Sequence, residues 1–424
     1  MIQYSGYQKY KKTRCDWLQE IPEHWQIKRI KNVATYNDDV LDDRTEPDFE
    51  LEYVDISSVS LTNGIEKTEK IVFEKAPSRA RRKVKDGDIV VSTVRTYLKS
   101  IAQVSKPPDN MIVSTGFAVI RPKENLVSGF AGYLLQSNGF VGDVVANSVG
   151  VSYPAINASD LVRIPAVEPP LEEQKIIARF LDYKTAQIDA LIAKQKALLD
   201  KLAEKRTALI SHAVNKGLDP TVPMKASGVE WLGEIPAHWK TIALHYVGRL
   251  RSGESITALQ FSEDGEYPVF GGNGYRGKCD RFTHQGEYVL IGRQGALCGN
   301  INTARGKFFA SEHAIVVNSV WEFQTDWMAY QLNVMDLNQY SVSAAQPGLS
   351  AEVIGRLKIS FPTIDEQKNI ANFLNKESEK IQTQRKKIED VIVKLQEYRS
   401  ALITNAVTGK IDVRHIPIPM EKAA

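Results

Sequence analysis

Two sets of side chains have the types and spacing for contacts to nucleic acid. The first is a basic run, Arg79, Arg81, Arg82, Lys83 and Lys85, followed by Arg95 and Tyr97. The second stands among glycines: Asn273, Tyr275, Arg276 and Lys278 in GGNGYRGK, then Arg293 and Gln294. Lys and Arg bind phosphates, whereas Arg, Asn and Gln can also pair with base edges through two hydrogen bonds. Glycine lets a backbone approach a ligand closely. Arg95-Thr96-Tyr97 and Arg293-Gln294-Gly295 each follow a strand-like run, so both could project from loop tips. A charge run is also what a plain solvated face looks like, and loops are polar by default. Both readings of each residue therefore stand side by side.

Charge in the first half is segregated along the chain. Residues 38–55 carry nine acids and one base, Arg44, whereas residues 67–99 carry ten bases and four acids. The net charge of +3 over 424 residues is nearly neutral, so any basic footprint must be local.

Other chemistries have no signature. There is no GxxxxGK[ST] phosphate loop: GGNGYRGK ends in Gly-Lys without the spacing or the following Ser/Thr. Neither HExxH nor GxSxG occurs, and no spacing of Asp and Glu nominates a catalytic pair. Of seven scattered histidines, His24 and His238 lie beside tryptophans and read as structural caps or packing residues. Three cysteines, Cys15, Cys279 and Cys298, form no CxxC pair, which fits a reducing cytoplasm. No apolar run reaches the ~18–20 residues of a membrane helix, and the polar, basic N-terminus does not read as a secretory signal.

The elements that must carry these residues are organised by a repeat. Trp17-Leu18-x-Glu20-Ile21-Pro22-x-His24-Trp25 recurs as Trp231-Leu232-x-Glu234-Ile235-Pro236-x-His238-Trp239, 214 positions on. Glu173-Gln174-x-x-Ile177-Ala178-x-Phe180-Leu181 recurs as Glu366-Gln367-x-x-Ile370-Ala371-x-Phe373-Leu374, 193 positions on. The plan is A–B–A′–B′, with B blocks of nearly equal length and A blocks that diverge. It looks like one frame carrying two different readers.

The B blocks predict long helices. Residues 171–216 and 364–408 lack proline, open on acidic residues and are followed by Gly217 and Gly409. About 40 helical residues span roughly 60 Å, so a coiled coil is the natural reading. Leu181, Ile188, Gln195, Leu202 and Leu209 occupy heptad position a in the first helix; Leu374, Ile381, Ile388, Leu395 and Leu402 do so in the second. Position d is mixed: Ile177, Lys184, Leu191, Leu198 and Lys205, against Ile370, Glu377, Gln384, Val391 and Tyr398. Lys184 and Lys205 facing Glu377 and Gln384 would suit a pairing of the two helices. Each helix docking only on its own A block is the competing arrangement. A two-fold relation between repeats would make the pairing antiparallel.

The A blocks carry short β-branched runs such as Ile89-Val90-Val91 and Ala314-Ile315-Val316-Val317, separated by turn residues. A weaker internal likeness sets residues 87–95 against 286–294. The predicted fold class is α+β: two strand-rich globules, separated by two long helices forming an antiparallel coiled coil, in a pseudo-two-fold tandem repeat. The expected segments are 1–168, 169–217, 218–362, 363–410 and a tail, 411–424.

The WLxEIPxHW motif opening each half, with the EQxxIAxFL start of each helix, closely resembles the specificity (S) subunits of type I restriction-modification systems. The resemblance runs from Tyr4 to about Val413. It implies that the A blocks are target-recognition domains, each reading one half of a bipartite double-stranded DNA site about one turn apart (~34–36 Å). Divergent A blocks would make that site asymmetric. It further implies that the helices bind methyltransferase (M) subunits, two per chain, and that restriction (R) subunits join them. S-adenosylmethionine, ATP and Mg would then belong to those partners, which methylate adenine N6 after flipping the base. This chain would be a non-catalytic, cytoplasmic, phage-defence component that binds no cofactor or metal and meets no membrane. The recognition subunit of a type IIB-like system would share this architecture. A two-headed protein-binding scaffold would instead show no salt-dependent DNA affinity. A stand-alone DNA-modifying enzyme would need a motif not found above.

Overall fold

The structure, a computed structural model, describes residues 4–295, 297–341 and 348–419. Residues 420–424 of the expected tail lie outside this set. The chain forms two compact units: residues 1–195 with 390–424, and residues 196–389. Each unit thus combines one globule with one part of both long helices, Leu171–Lys216 and Ile364–Val407.

In the first unit a four-stranded sheet has the order Ile101–Gln103, Ile89–Ser92, Phe117–Pro122, Ala34–Tyr36. Ile89 lies opposite Ile120 and Val91 opposite Ala118. The run is β-branched and buried on both faces, so successive side chains enter different cores. Ile89, Val91, Ala118 and Ile120 pack with Phe130, Leu134 and the long-helix residues Ile177 and Leu181. Val90 and Val119 pack instead with Val54, Val113 and Phe117. A second sheet, ordered Glu69–Val72, Glu50–Val54, Met111–Ser114, Ala80–Lys83, carries the basic run on its edge.

The second unit is built on one six-stranded sheet, ordered Gly248–Ser252, Ala314–Ser319, His284–Gly292, Ile301–Ala310, Tyr267–Gly271, Gly274–Cys279. The same alternation holds. Val289, Ile291, Ile315 and Val317 face Trp327, Leu332 and the long-helix residues Ile370 and Leu374. Leu290 and Val316 face Phe308 and Ala310.

The repeated motifs lock each globule to a helix start. Trp25 is fully buried and donates from Nε1 to Oε1 of Glu173 at 3.1 Å; His24 Nε2 lies 2.8 Å from Oε2. Tyr7 donates its hydroxyl to the same carboxylate. In the second unit Trp239 donates to Glu366 at 3.0 Å, and His238 Nε2 lies 2.7 Å away. The neighbouring glutamines act alike: Gln174 Oε1 accepts from the Val127 amide, and Gln367 Oε1 from the Gln324 amide. The histidines beside the tryptophans are therefore exposed partners of the helix-start carboxylates, structural caps rather than core packing residues.

The helix ends close the same motifs. Gly409 (φ +72°) ends the second helix against Pro22 and Trp25, and Gly217 (φ +78°) ends the first against Trp239 and Pro236. A left-handed residue with no room for a side chain is the usual helix terminus for glycine.

The expected heptad register needs one correction. Leu181, Ile188, Leu374, Ile381 and Leu402 at position a are buried, and Leu202, Leu209, Ile388 and Leu395 are half-buried. Position d is buried at the helix starts, at Ile177 and Ile370, but beyond them it is not the second buried row. Leu191 and Leu198 are 42% and 43% exposed, and Val391 is 42% exposed. The next residue takes that place: Thr185, Ile192 and Ala406 are buried, Leu199 and Ile392 half-buried. Residues three and four positions away share a helix face, so either can complete the row. Composition does not decide it, since d holds Lys184, Lys205, Glu377 and Gln384 while the later position holds Arg206, Arg385 and Arg399; the groups each helix packs against choose the row.

Candidate nucleic-acid interface

The strand Ile89–Ser92 runs out into a loop, residues 93–100, held on three sides. The Ser92 amide donates to the Ser100 carbonyl (2.9 Å), the Thr93 amide to Gly116 (2.8 Å), and the Ile156 amide to Thr93 (2.9 Å). The strand His284–Gly292 runs into residues 293–300 under the same bonds. Here the Gly292 amide donates to Asn300 (2.8 Å), Arg293 to His313 (2.9 Å), and Leu349 to the Arg293 carbonyl (2.9 Å). This pairing equates Val91 with Ile291, one residue further along than the sequence likeness of 87–95 with 286–294 implies. Hydrogen-bond register overrides a short sequence match because a one-residue slip would turn every side chain to the opposite face.

The two loops present different chemistry. Arg95 lies with its guanidinium carbon 4.9 Å from the Tyr153 ring centre, and Tyr97 is half-exposed at the tip. In the second unit Gln294 is exposed and joins Asn273, Arg276, Leu297 and His313 around a cavity of about 290 Å³. Arg276 is propped over the Phe261 ring at 5.6 Å, and Asn273 Oδ1 accepts from Asn300 Nδ2 at 2.9 Å. Three of the residues selected by type thus converge on one concave surface. Tyr275 and Lys278 are exposed on the strand Gly274–Cys279, and Arg293 is half-buried, fixed by its backbone at the loop base.

His313 and Leu297 escaped the sequence reading. A lone histidine carries no pattern, and only the bond from the Arg293 amide to His313 places it here. Tyr153 escaped for the same reason: it is remote from Arg95 in sequence and adjacent in space.

The basic run is embedded otherwise than its sequence suggests. Arg79 pairs with Asp55 at 2.8 Å and donates to the Tyr53 hydroxyl at 3.2 Å. Arg81 pairs with Asp43 at 3.5 Å, and Lys85 with Asp39 at 2.8 Å. Hydrogen bonds from Lys85 and then Arg121 hold the Asp39 carboxyl below its usual range. The Leu41 amide donates to the Arg81 carbonyl, and Val40 bridges Arg82, so the acidic segment lies along the basic strand. Charges segregated in sequence are matched in space. Arg82 is half-buried, and burial lowers its pKa. Lys83 is exposed and in no ion pair among the described residues.

Among the described residues no group of three or more His, Cys, Asp or Glu is placed to hold a metal ion, and no helix is long and apolar enough to cross a membrane. Two units with one core plan and two different loop surfaces define a tandem-repeat fold. The type I restriction modification DNA specificity domain matches residues 22–201 and 236–392, and the chain belongs to that family. The type I restriction enzyme EcoprrI specificity subunit of Escherichia coli is 42% identical over 147 residues, which cover 34% of this chain and 36% of that subunit. The chain thus matches about a third of that relative's length. The HsdS subunit of Thermoanaerobacter tengcongensis shares the fold with a TM-score of 0.52 and 22% identity, over 92% of this chain and 98% of that one. A chain solved in a study of complex assembly and conformational transition of the type I restriction-modification system does so with a TM-score of 0.70 and 24% identity, over 91% and 98%.

Proposed function

We propose that this chain is the DNA-recognition subunit of a type I restriction-modification complex and reads an asymmetric, interrupted site in double-stranded DNA. The observation that carries this reading is the pair of loops, 93–100 and 293–300, built on one hydrogen-bond frame and filled with different side chains. One frame with two fillings suits two half-sites of different sequence. The cavity lined by Asn273, Arg276 and Gln294 holds the side chains that make two-bond contacts with adenine or guanine edges.

The two long helices act as an antiparallel coiled coil that fixes the spacer and docks two methyltransferase subunits, and through them restriction subunits. Supporting this, Arg399 pairs with Asp189 at 2.9 Å in the first unit, and in the second Lys205 helps lower the pKa of Glu377, after the hydrogen bond from Lys380. The exposed Leu191, Leu198 and Val391 offer apolar surface on those helices. The partners supply S-adenosylmethionine, ATP and Mg; this chain works in the cytoplasm, binds none of them and does no bond chemistry.

The test is co-expression with the partner methyltransferase, followed by mapping of N6-methyladenine in host DNA. A methylated, asymmetric, interrupted motif is expected. A stable complex that leaves no new methylation and shows no salt-dependent DNA affinity would overturn the reading.

A further inference from the structure

The equivalence of the two loops exposes an anomaly in the first. Among the described residues of loop 293–300, those with positive φ are Gly295 (+81°) and Gly299 (+87°). In loop 93–100 the corresponding residues are Arg95 (+50°) and Lys99 (+56°). Glycine adopts this left-handed conformation freely, whereas any residue with a Cβ is strained there. Two long cations thus occupy the two positions at which the sister loop uses glycine. Strained non-glycine residues cluster at functional sites, where something else holds them.

What the strain supports is visible around them. Arg95 and Lys99 bracket one 3-10 turn, Thr96–Leu98, whose Tyr97 and Leu98 are half-exposed. A second segment stands beside the turn: Thr96 Oγ1 lies 2.8 Å from Ser148 Oγ, and Val94 bridges Ala155. That segment exposes Val149 (82%), Val151 (fully) and Tyr153 (67%). Neither Arg95 nor Lys99 has an ion pair among the described residues, unlike Arg79, Arg81 and Lys85 in the same unit. An apolar tip flanked by two unpaired cations matches an apolar partner edged with negative charge.

We propose that this tip is a wedge that enters duplex DNA in the first half-site: Arg95 and Lys99 hold the flanking phosphates while Tyr97 and Val151 press into one base step. The proposal rests on the DNA-recognition reading above and adds how the first unit reads. Apolar wedges between base steps unstack and kink the duplex, and easily unstacked pyrimidine–purine steps accept them best. The first half-site would then be read in part by its deformability. The second, facing Asn273, Arg276 and Gln294, would be read by hydrogen bonds.

The test uses the complex of this chain with its methyltransferase subunits and duplexes carrying the methylated motif, or a motif selected from random duplexes. Replacing both Arg95→Gly and Lys99→Gly removes the strain and the cations together. The expected result is a melting temperature raised by a few degrees with affinity at least tenfold weaker. A role confined to the fold would not move the two in opposite directions. Separately, 2-aminopurine placed in the first half-site away from the methylated adenine should brighten on binding and stay dark with Tyr97→Ser/Val151→Ser, while the same substitutions leave the signal of a probe in the second half-site unchanged. Unchanged affinity and brightening in these variants would overturn the wedge. So would loss of methyltransferase co-purification with DNA contacts intact, which would make the tip a protein-docking surface. If the unsubstituted complex shows no sequence preference on any duplex, the recognition reading itself fails, and the wedge with it.

Discussion

The indole of Trp25 donates a 3.1 Å hydrogen bond to the carboxylate of Glu173, 148 positions further along the chain. Glu173 is the acid of the EQxxIAxFL helix start and Trp25 the last residue of the WLxEIPxHW motif, so the two repeated motifs are the halves of one clamp. Trp239 and Glu366 form its counterpart in the second unit at 3.0 Å.

Removing the first clamp should destabilise the first unit strongly. Glu173 is 5% exposed and accepts from Trp25 and Tyr7. Glu173→Ala leaves two buried donors without an acceptor, a loss of about 2–4 kcal/mol. Urea unfolding of the chain checks this, and a change below about 0.5 kcal/mol would contradict a clamp of this kind.

The second clamp should be sensitive to acid. Burial pushes the Glu366 carboxyl up, but hydrogen bonds from Trp239, His238 and Thr363 outweigh it and hold the pKa at about 2, against an ordinary 4.5. A carboxyl depressed in the folded state contributes its full stability above the unfolded pKa and loses it as pH falls through the folded one. The melting-temperature gap between the native chain and Glu366→Gln should hold steady above pH 4.5 and close between 4.5 and about 2. A gap unchanged down to pH 2 would contradict the sign.

Asp189 and Arg399 should couple energetically. They lie on different long helices 2.9 Å apart, with Arg399 only 12% exposed. A double-mutant cycle with Asp189→Asn and Arg399→Gln should return about 0.5–1.5 kcal/mol of interaction. Additive single effects would mean the pair contributes nothing to helix pairing.

Base and phosphate contacts should separate cleanly. Gln294→Ala, on the second unit's cavity, should relax preference at one base pair by about 1–3 kcal/mol and leave the other half-site unchanged. Lys83→Ala should weaken binding to all duplexes alike and lower the salt slope by about one. Arg79→Ala should shift the slope less, because Asp55 already neutralises it at 2.8 Å. Affinities measured across a salt series on matched and mismatched duplexes distinguish these cases.

The repeat, the two long helices and the strand-rich character of the globules were legible in the sequence because they rest on local pattern. Proline-free stretches opened by acids and closed by Gly217 and Gly409 spell a helix without reference to the rest of the chain. Glycine-rich loops with Asn273, Arg276 and Gln294 could likewise be named from residue type. Partnership could not. Only the folded chain brings Asp39, Asp43 and Asp55 against the basic run, because sheet pairing joins segments that the sequence keeps apart. Which residue completes the buried helix row was also a tertiary decision, since two positions share that face and neighbouring groups choose between them. The left-handed Arg95 and Lys99 are the sharpest case. Nothing in their own residue types announces the conformation, and only the hydrogen-bonded frame shared with Gly295 and Gly299 shows where glycine would ordinarily stand.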